Sequence, residues 1–382
     1  MALGTTPQVA GGVMATLRAS PRQAGVGVVL FLASLGFVGF NETRAVERYT
    51  VLDRSADTVI SVAADHINPS HEGALVHVRG GLQSSQELVD ETFGVKAPAL
   101  RLVRHVEIYA WEETKREDKR KNQKGEDETV TTYAYTKRFV PVTADSSKFK
   151  EAESHKNPER GAFSDQEFLA KDTRLGAFVV PSEALSKLTK LEPVRVTQDM
   201  LSHSAHAPQL RDLEGAAYFG KDIKDPQVGD LKISYQMVRP QAVSVVAKQT
   251  GGTFSAYQPT PEQSVFLVQA GEVDSRAMFS TAKDDTSNVS LALRGIGILV
   301  ATVALSLVFL LFAARRAFVP GLGRARRVSA VLVSLGFGSA AVLATMGAVW
   351  VSVRPALGAP LFLVSAVCLA LTGFAIARSK TA

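Results

Sequence analysis

The chain has a single cysteine, Cys368, so it can close no disulfide on itself and cannot build a metal site from several thiolates. It also lacks the strings that many enzyme chemistries need. No Gly-x-Ser-x-Gly elbow presents a serine nucleophile, no Gly-x-x-x-x-Gly-Lys loop cradles a phosphate, and no His-Glu-x-x-His pair is present. Four apolar runs, 24–40, 295–314, 328–353 and 356–377, contain no Asp, Glu, Lys, Arg or His. Each is long enough to cross a bilayer as a helix, which takes roughly 17–25 such residues. The absence of ionisable groups inside them argues against a proton relay or an ion path.

The basic residues that are present orient these runs. Arg18 and Arg22 precede the first run without an acid. Arg315, Arg316, Arg324, Arg326 and Arg327 fill the loop between the second and third, and Arg378 and Lys380 follow the fourth. Lys and Arg accumulate on cytoplasmic flanks, and four spans place all three basic segments on one side. The sequence therefore predicts a membrane protein with four transmembrane α-helices, one N-terminal and three C-terminal, and a large α+β extracytoplasmic domain inserted between the first and second. The segments are a cytoplasmic tail 1–23, a span 24–40, the domain 41–294, a span 295–314, the basic loop 315–327, spans 328–353 and 356–377, and a cytoplasmic end 378–382. A signal-peptide reading of 24–40 is disfavoured, because the run is too long and Asn41-Glu42-Thr43-Arg44 stands where a small-residue cleavage site belongs. The net charge of +6 owes much to these flanking arginines, which speaks against a nucleic-acid patch. The loop arginines are expected to lie against anionic headgroups, each worth about 1 kcal/mol.

Within 41–294, Ala45, Tyr49, Leu52 and Ala56 keep helical spacing, so 41–60 continues the first helix. Residues 74–79 read as a short strand ended by Gly80-Gly81. A stronger strand, 100–111, puts Leu102, Arg104, Val106, Ile108 and Ala110 on one face and Val103, His105, Glu107, Tyr109 and Trp111 on the other. Residues 129–140, rich in Thr, Tyr and Val, form another. The charged stretch 112–128 between them reads as a long hairpin with a solvated tip, an electrostatic docking site being the alternative. A helix capped by Ser182 is predicted over 182–191. Strands are predicted over 231–238, 242–248 and 265–269, and a helix over 274–294. Arg104 falls on an apolar face, so its charge needs a partner there or must reach the edge.

Seven histidines raise the question of a metal. His203 and His206 are three apart beside Pro208, and His66, His71 and His77 straddle the Asn68-Pro69 turn, but neither group implies a third ligand. His105 and Glu107 share a strand face and could neighbour one another in a site, although Tyr109 and Trp111 beside them mark a partly exposed rim. Asp230 after Gly229 reads as a turn or strand-start residue rather than a ligand. No catalytic, cofactor-binding or metal residue is assigned. In the third run Gly336, Ala340, Ala344 and Ala348 recur every four residues, a small-residue face for close packing within the chain or between copies.

Six strings occur in order: Asn41-Glu42-Thr43-Arg44-Ala45, Glu72-Gly73-Ala74-Leu75-Val76-His77-Val78, Arg104-His105-Val106-Glu107-Ile108-Tyr109-Ala110-Trp111, His155-Lys156-Asn157-Pro158, Val228-Gly229-Asp230-Leu231 and Arg354-Pro355. With the one-plus-three span layout, they resemble the transmembrane protein 43 (LUMA) family from the first span to the last. Thr43 departs from the glycine of animal members, and the Arg- and Ala-rich, cysteine-poor style suggests a bacterial member. The resemblance implies a non-enzymatic membrane organiser without cofactors that self-associates and binds other membrane proteins. Its large domain would be luminal in animals and periplasmic, at the inner membrane, in a bacterium. Expected partners are membrane lipids, further copies of the chain and other membrane proteins, and not nucleic acid. Arg104, His105, Glu107, Tyr109, Trp111, His155, Lys156, Asn157, Pro158, Gly229 and Asp230 are the candidate structural or partner-contact residues. A lipid-binding or lipid-modifying role at the extracytoplasmic face is the competing expectation.

Overall fold

A computed structural model describes residues 21–121, 127–159, 161–314 and 326–378. The chain divides into two compact units, one made of Met1–Thr58, Gln258–Val265 and Arg276–Ala382, the other of Val59–Tyr257 and Phe266–Ser275.

The first unit contains four long helices, Pro21–Thr58, Ser275–Ala314, Arg326–Trp350 and Pro355–Arg378. Each holds a stretch long and apolar enough to cross a membrane. Leu32, Leu299, Leu363 and Leu371 remain exposed on them, as side chains facing lipid would be. The first helix continues past its apolar run to Thr58, and the second begins well before its own, at Ser275. The third and fourth helices approach closely. Ser365 donates to the Ala340 carbonyl at 2.7 Å, and a Cβ added at Gly336 would fall 1.9 Å from the Thr372 hydroxyl oxygen. Of the predicted small-residue face, Ala340 is buried, Gly336 and Ala344 are half-buried and Ala348 is exposed. Gly347, against Phe362, completes the contact instead.

The second unit is β-rich, with two seven-stranded sheets. In the first sheet the pairing closes into a ring: Leu75–Ser84 bonds to Thr173–Leu175, then Phe178–Val180, Thr253–Ser255, Gln241–Thr250 and back to Leu75–Ser84. Val76, Val78, Leu82, Leu175, Val245 and the stacked pair Phe178 and Phe254 form its core. Gly80 and Gly81 do not end their strand, which runs on to Ser84. Gly80 pairs with Val243, and its missing side chain makes room for Leu175, whose Cδ1 lies 3.3 Å from where a Cβ would be.

The second sheet runs Leu210–Leu213, Ala216–Phe219, Leu231–Val238, Arg101–Lys121, Asp127–Val140, with Glu192–Val194 and Gln166–Leu169 pairing alongside. Leu102, Val106, Ile108 and Ala110 are buried on one face, as the alternation requires. The described part of 112–128 forms the arms of a long hairpin, as expected. Ile108–Lys121 pairs residue by residue with Asp127–Val140, and charges on it pair across the strands, Glu112 with Arg138, and along one strand, Arg116 with Asp118. The tip, 122–126, lies outside the described residues.

Two other expectations need correcting. Residues 182–187 form a 3-10 turn, not an α-helix capped by Ser182, because Pro181 occupies the cap position and supplies no side-chain bond. The strand expected over 265–269 is two strands with different mates: Gln263–Val265 pairs with Tyr257–Thr260, and Leu267–Ala270 with Gln241–Thr250.

Candidate functional site

Arg104 is a buried charge in the β-rich unit. Its Nη1 donates to Asp90 Oδ2 at 2.7 Å, Nη2 to Gln166 Oε1 at 2.8 Å and Nε to the Ser164 carbonyl at 3.1 Å. Tyr235 donates its hydroxyl to the same Asp90 oxygen at 2.7 Å, and Thr92 N–H donates to the other at 3.0 Å. The guanidinium also lies 5.2 Å from the Phe93 ring centroid. Arg104 and Asp90 side chains are 5% and 1% exposed, so the charge on the apolar face is met by a buried partner and does not reach for solvent. Burial and the Asp90 charge hold the Tyr235 phenol far above its ordinary pKa, which keeps it a donor.

On the opposite face of that strand, the predicted residues take separate partners. His105 Nδ1 lies 3.5 Å from Asp165, and Glu107 accepts from Lys232 at 2.9 Å. Trp111 and Asn157 exchange two bonds: Trp111 N–H donates to Asn157 Oδ1 at 2.8 Å, and Asn157 Nδ2 donates to the Trp111 carbonyl at 2.9 Å. The Asn157 amide thus stands in for a neighbouring strand. His155 stacks on Tyr135 with centroids 3.7 Å apart and meets Trp111 edge-on at 4.6 Å. Lys156 pairs with Glu153, and Lys156, Asn157 and Pro158 border an open groove of about 510 Å³ with Thr143 and Asp145.

Tyr109 is tied to the Gly229-Asp230 turn, donating its N–H to the Asp230 carbonyl and accepting from Gly229 N–H. Gly229 has φ 105, a region that favours glycine. The Asp230 carboxylate accepts from Tyr218 at 2.6 Å and from Gln227 N–H at 2.7 Å. Burial, then that bond to Asp230, raise the Tyr218 pKa well above its ordinary value.

The helical unit holds a second buried cluster, one the sequence reading did not assign. Glu42, with 0% of its side chain exposed, accepts two bonds from Arg294, Nε at 2.8 Å and Nη2 at 2.7 Å. Trp350 Nε1 donates to Oε2, and Ser290 donates to Oε1 at 3.2 Å. Asn41 reaches the Ser290 hydroxyl at 3.0 Å, and Tyr49 packs edge-on against Trp350. One carboxylate thereby joins three long helices. The available signals were Asn41-Glu42 directly after the first apolar run and Trp350 near the end of the third.

His77 is buried between the Ser61 hydroxyl, 3.1 Å from Nδ1, and the Val273 carbonyl, 3.0 Å from Nε2. Burial lowers its pKa, and the Val273 carbonyl opposes that shift. His203 bonds the Asp199 carbonyl, and His206 packs against Phe163 and Phe219. No group of three His, Cys, Asp or Glu among the described residues could hold a metal. Arg315, Arg316 and Arg324 lie outside the described residues, and Arg326 and Arg327 open the third long helix.

Four long apolar helices and a β-rich domain define an integral, multi-pass membrane protein. The chain belongs to the transmembrane protein 43 family: the family model described as Transmembrane protein 43 matches residues 108–355. It is 26% identical to Transmembrane protein 43 of Rattus norvegicus, across 93% of this chain and 89% of the relative. Identity to the Homo sapiens protein is 27%, across 71% and 70%, and to the Drosophila melanogaster homolog 26%, across 69% and 70%. No solved structure matches.

Proposed function

We propose that this protein is a non-enzymatic membrane scaffold that self-associates and binds other membrane proteins through its β-rich domain. Its termini and arginine-rich loop face the cytoplasm, against anionic headgroups, and the domain lies on the extracytoplasmic side, periplasmic in a bacterium or luminal in an endomembrane. The observation that carries this reading is the ribbon formed by Ile108–Lys121 and Asp127–Val140. The neighbouring strand Leu231–Val238 stops opposite Ile108, and Gly229-Asp230 and Asn157 take the edge only as far as Trp111. Beyond it, among the described residues, the ribbon continues with no further strand on either side. Open edges are a hazard to a protein on its own and a template for strand pairing with a partner. The buried ionisable groups Asp90, Arg104 and Glu42 are each bonded within the fold, which supports architecture over catalysis.

The test is purification in mild detergent, with mass measured by light scattering and co-purified proteins and lipids identified. A defined oligomer with a reproducible protein partner is expected. A monomer retaining one lipid class in stoichiometric amount would replace the scaffold with the lipid-binding alternative.

A further inference from the structure

The second sheet ends on Asp127–Val140, which pairs with Arg101–Lys121 on one side and, among the described residues, with no strand on the other. Tyr109 makes its backbone bonds with Gly229 and Asp230, away from this strand, and that sets the alternation. Ala110, Glu112 and Thr114 bond across to Arg138, Thr136 and Ala134, so the N–H and C=O groups of Thr129, Thr131, Tyr133, Tyr135 and Lys137 point outward. From Thr129 to Thr136 the strand is Thr, Val, Tyr and Ala, without charge or proline, and its register runs without a bulge. The usual guards of an edge are missing from this stretch.

The charges sit at the two ends and are opposite in sign, Asp127-Glu128 at one and Lys137-Arg138 at the other. Such a strand complements itself only when antiparallel, where each acidic end meets a basic end. Parallel pairing would set like charges side by side, which is destabilising. We propose that this edge pairs antiparallel with the same edge of a second copy, about a twofold axis at Thr132 or Tyr133, merging two ribbons into one four-stranded sheet. An interface of this kind is isologous and closes as a dimer. The proposal rests on the self-association reading above and names its surface.

The test uses the full chain in detergent, with Cys368→Ser and single cysteines introduced at Thr132, Tyr133, Lys137 and, on the neighbouring strand, Thr114. Under mild oxidation a disulfide-linked dimer is expected at Thr132→Cys or Tyr133→Cys and not at Lys137→Cys or Thr114→Cys, because only residues at the axis meet their own copies. Thr131→Pro removes an outward N–H and no in-chain ladder bond. It should weaken the dimer about tenfold while leaving the far-UV circular dichroism unchanged. Equal cross-linking at all positions would overturn the antiparallel edge. So would the absence of any cross-link in a sample whose mass is oligomeric, or cross-links to a different co-purified protein; in these cases the scaffold reading survives. A monomeric mass would overturn both.

Discussion

The β-rich unit and the helical unit each bury a carboxylate–guanidinium pair with an aromatic donor, yet the two pairs are built differently. In the β-rich unit, Asp90 and Arg104 are 14 residues apart and Tyr235 closes the cluster, with both charges almost fully covered. In the helical unit, Glu42 is covered but Arg294 keeps 17% of its side chain exposed, and the partners are 252 and 308 residues away along the chain. The first cluster joins the second sheet, which carries Arg104 and Tyr235, to the short strand Leu88–Asp90, whose own partner is Val95–Ala97, and it is part of the core of the β-rich unit. The second is a tie between helices that the chain leaves and revisits only after the whole β-rich domain. A buried pair is weak evidence of net stability, but removing one partner leaves an uncompensated charge, and that cost rises with enclosure.

The comparison can be broken first at Asp90. Asp90→Ala leaves Arg104 without its counter-charge and Tyr235 without its acceptor, and should destabilise the β-rich unit by about 3–5 kcal/mol. The two tryptophans, Trp111 and Trp350, fall in different units, so denaturant curves followed in Trp111→Phe and Trp350→Phe backgrounds report each unit separately. Only the Trp111 signal should shift to lower denaturant.

Glu42→Gln is the matching change in the helical unit. Arg294 retains access to its surroundings, so the expected loss is smaller, about 1–3 kcal/mol, read from the Trp350 signal with the Trp111 transition unmoved. A shift of both transitions together would show that the clusters are not independent.

The smallest effect sharpens the contrast by pH. Burial sets the His77 pKa below its ordinary 6.5, so the unfolded chain takes up a proton before the folded one as pH falls. The stability this neutral histidine contributes is complete above about pH 6.5 and is lost as pH drops below it. The Trp111 transition should weaken between pH 7.5 and 5, and His77→Gln should flatten that dependence.

Local pattern made much of this fold legible. The charge-free runs and the alternation around Arg104 could be read directly, and so could the need of Arg104 for a partner. The identity of that partner could not, because Asp90 sits in the three-residue strand Leu88–Asp90, too short to show a period. Ser182 and the run 265–269 misled for a related reason: a proline took over the cap in one, and two different pairing partners divided the other. His105 and Glu107 shared a face as expected, but Asp165 and Lys232 arrive from elsewhere in the chain and engage each of them separately.

By itself, then, the sequence determined the four apolar helices, the β-rich character of the segment between them and the buried face of 102–110. Each follows from consecutive residues repeating at a helix or strand period. The tertiary structure alone decided that Glu42 meets Arg294 and Trp350, that Asp90 meets Arg104 and Tyr235, and that Asp127–Val140 is left as an edge. Those outcomes depend on which distant segments pack together, and no local period encodes the mate of a single buried charge.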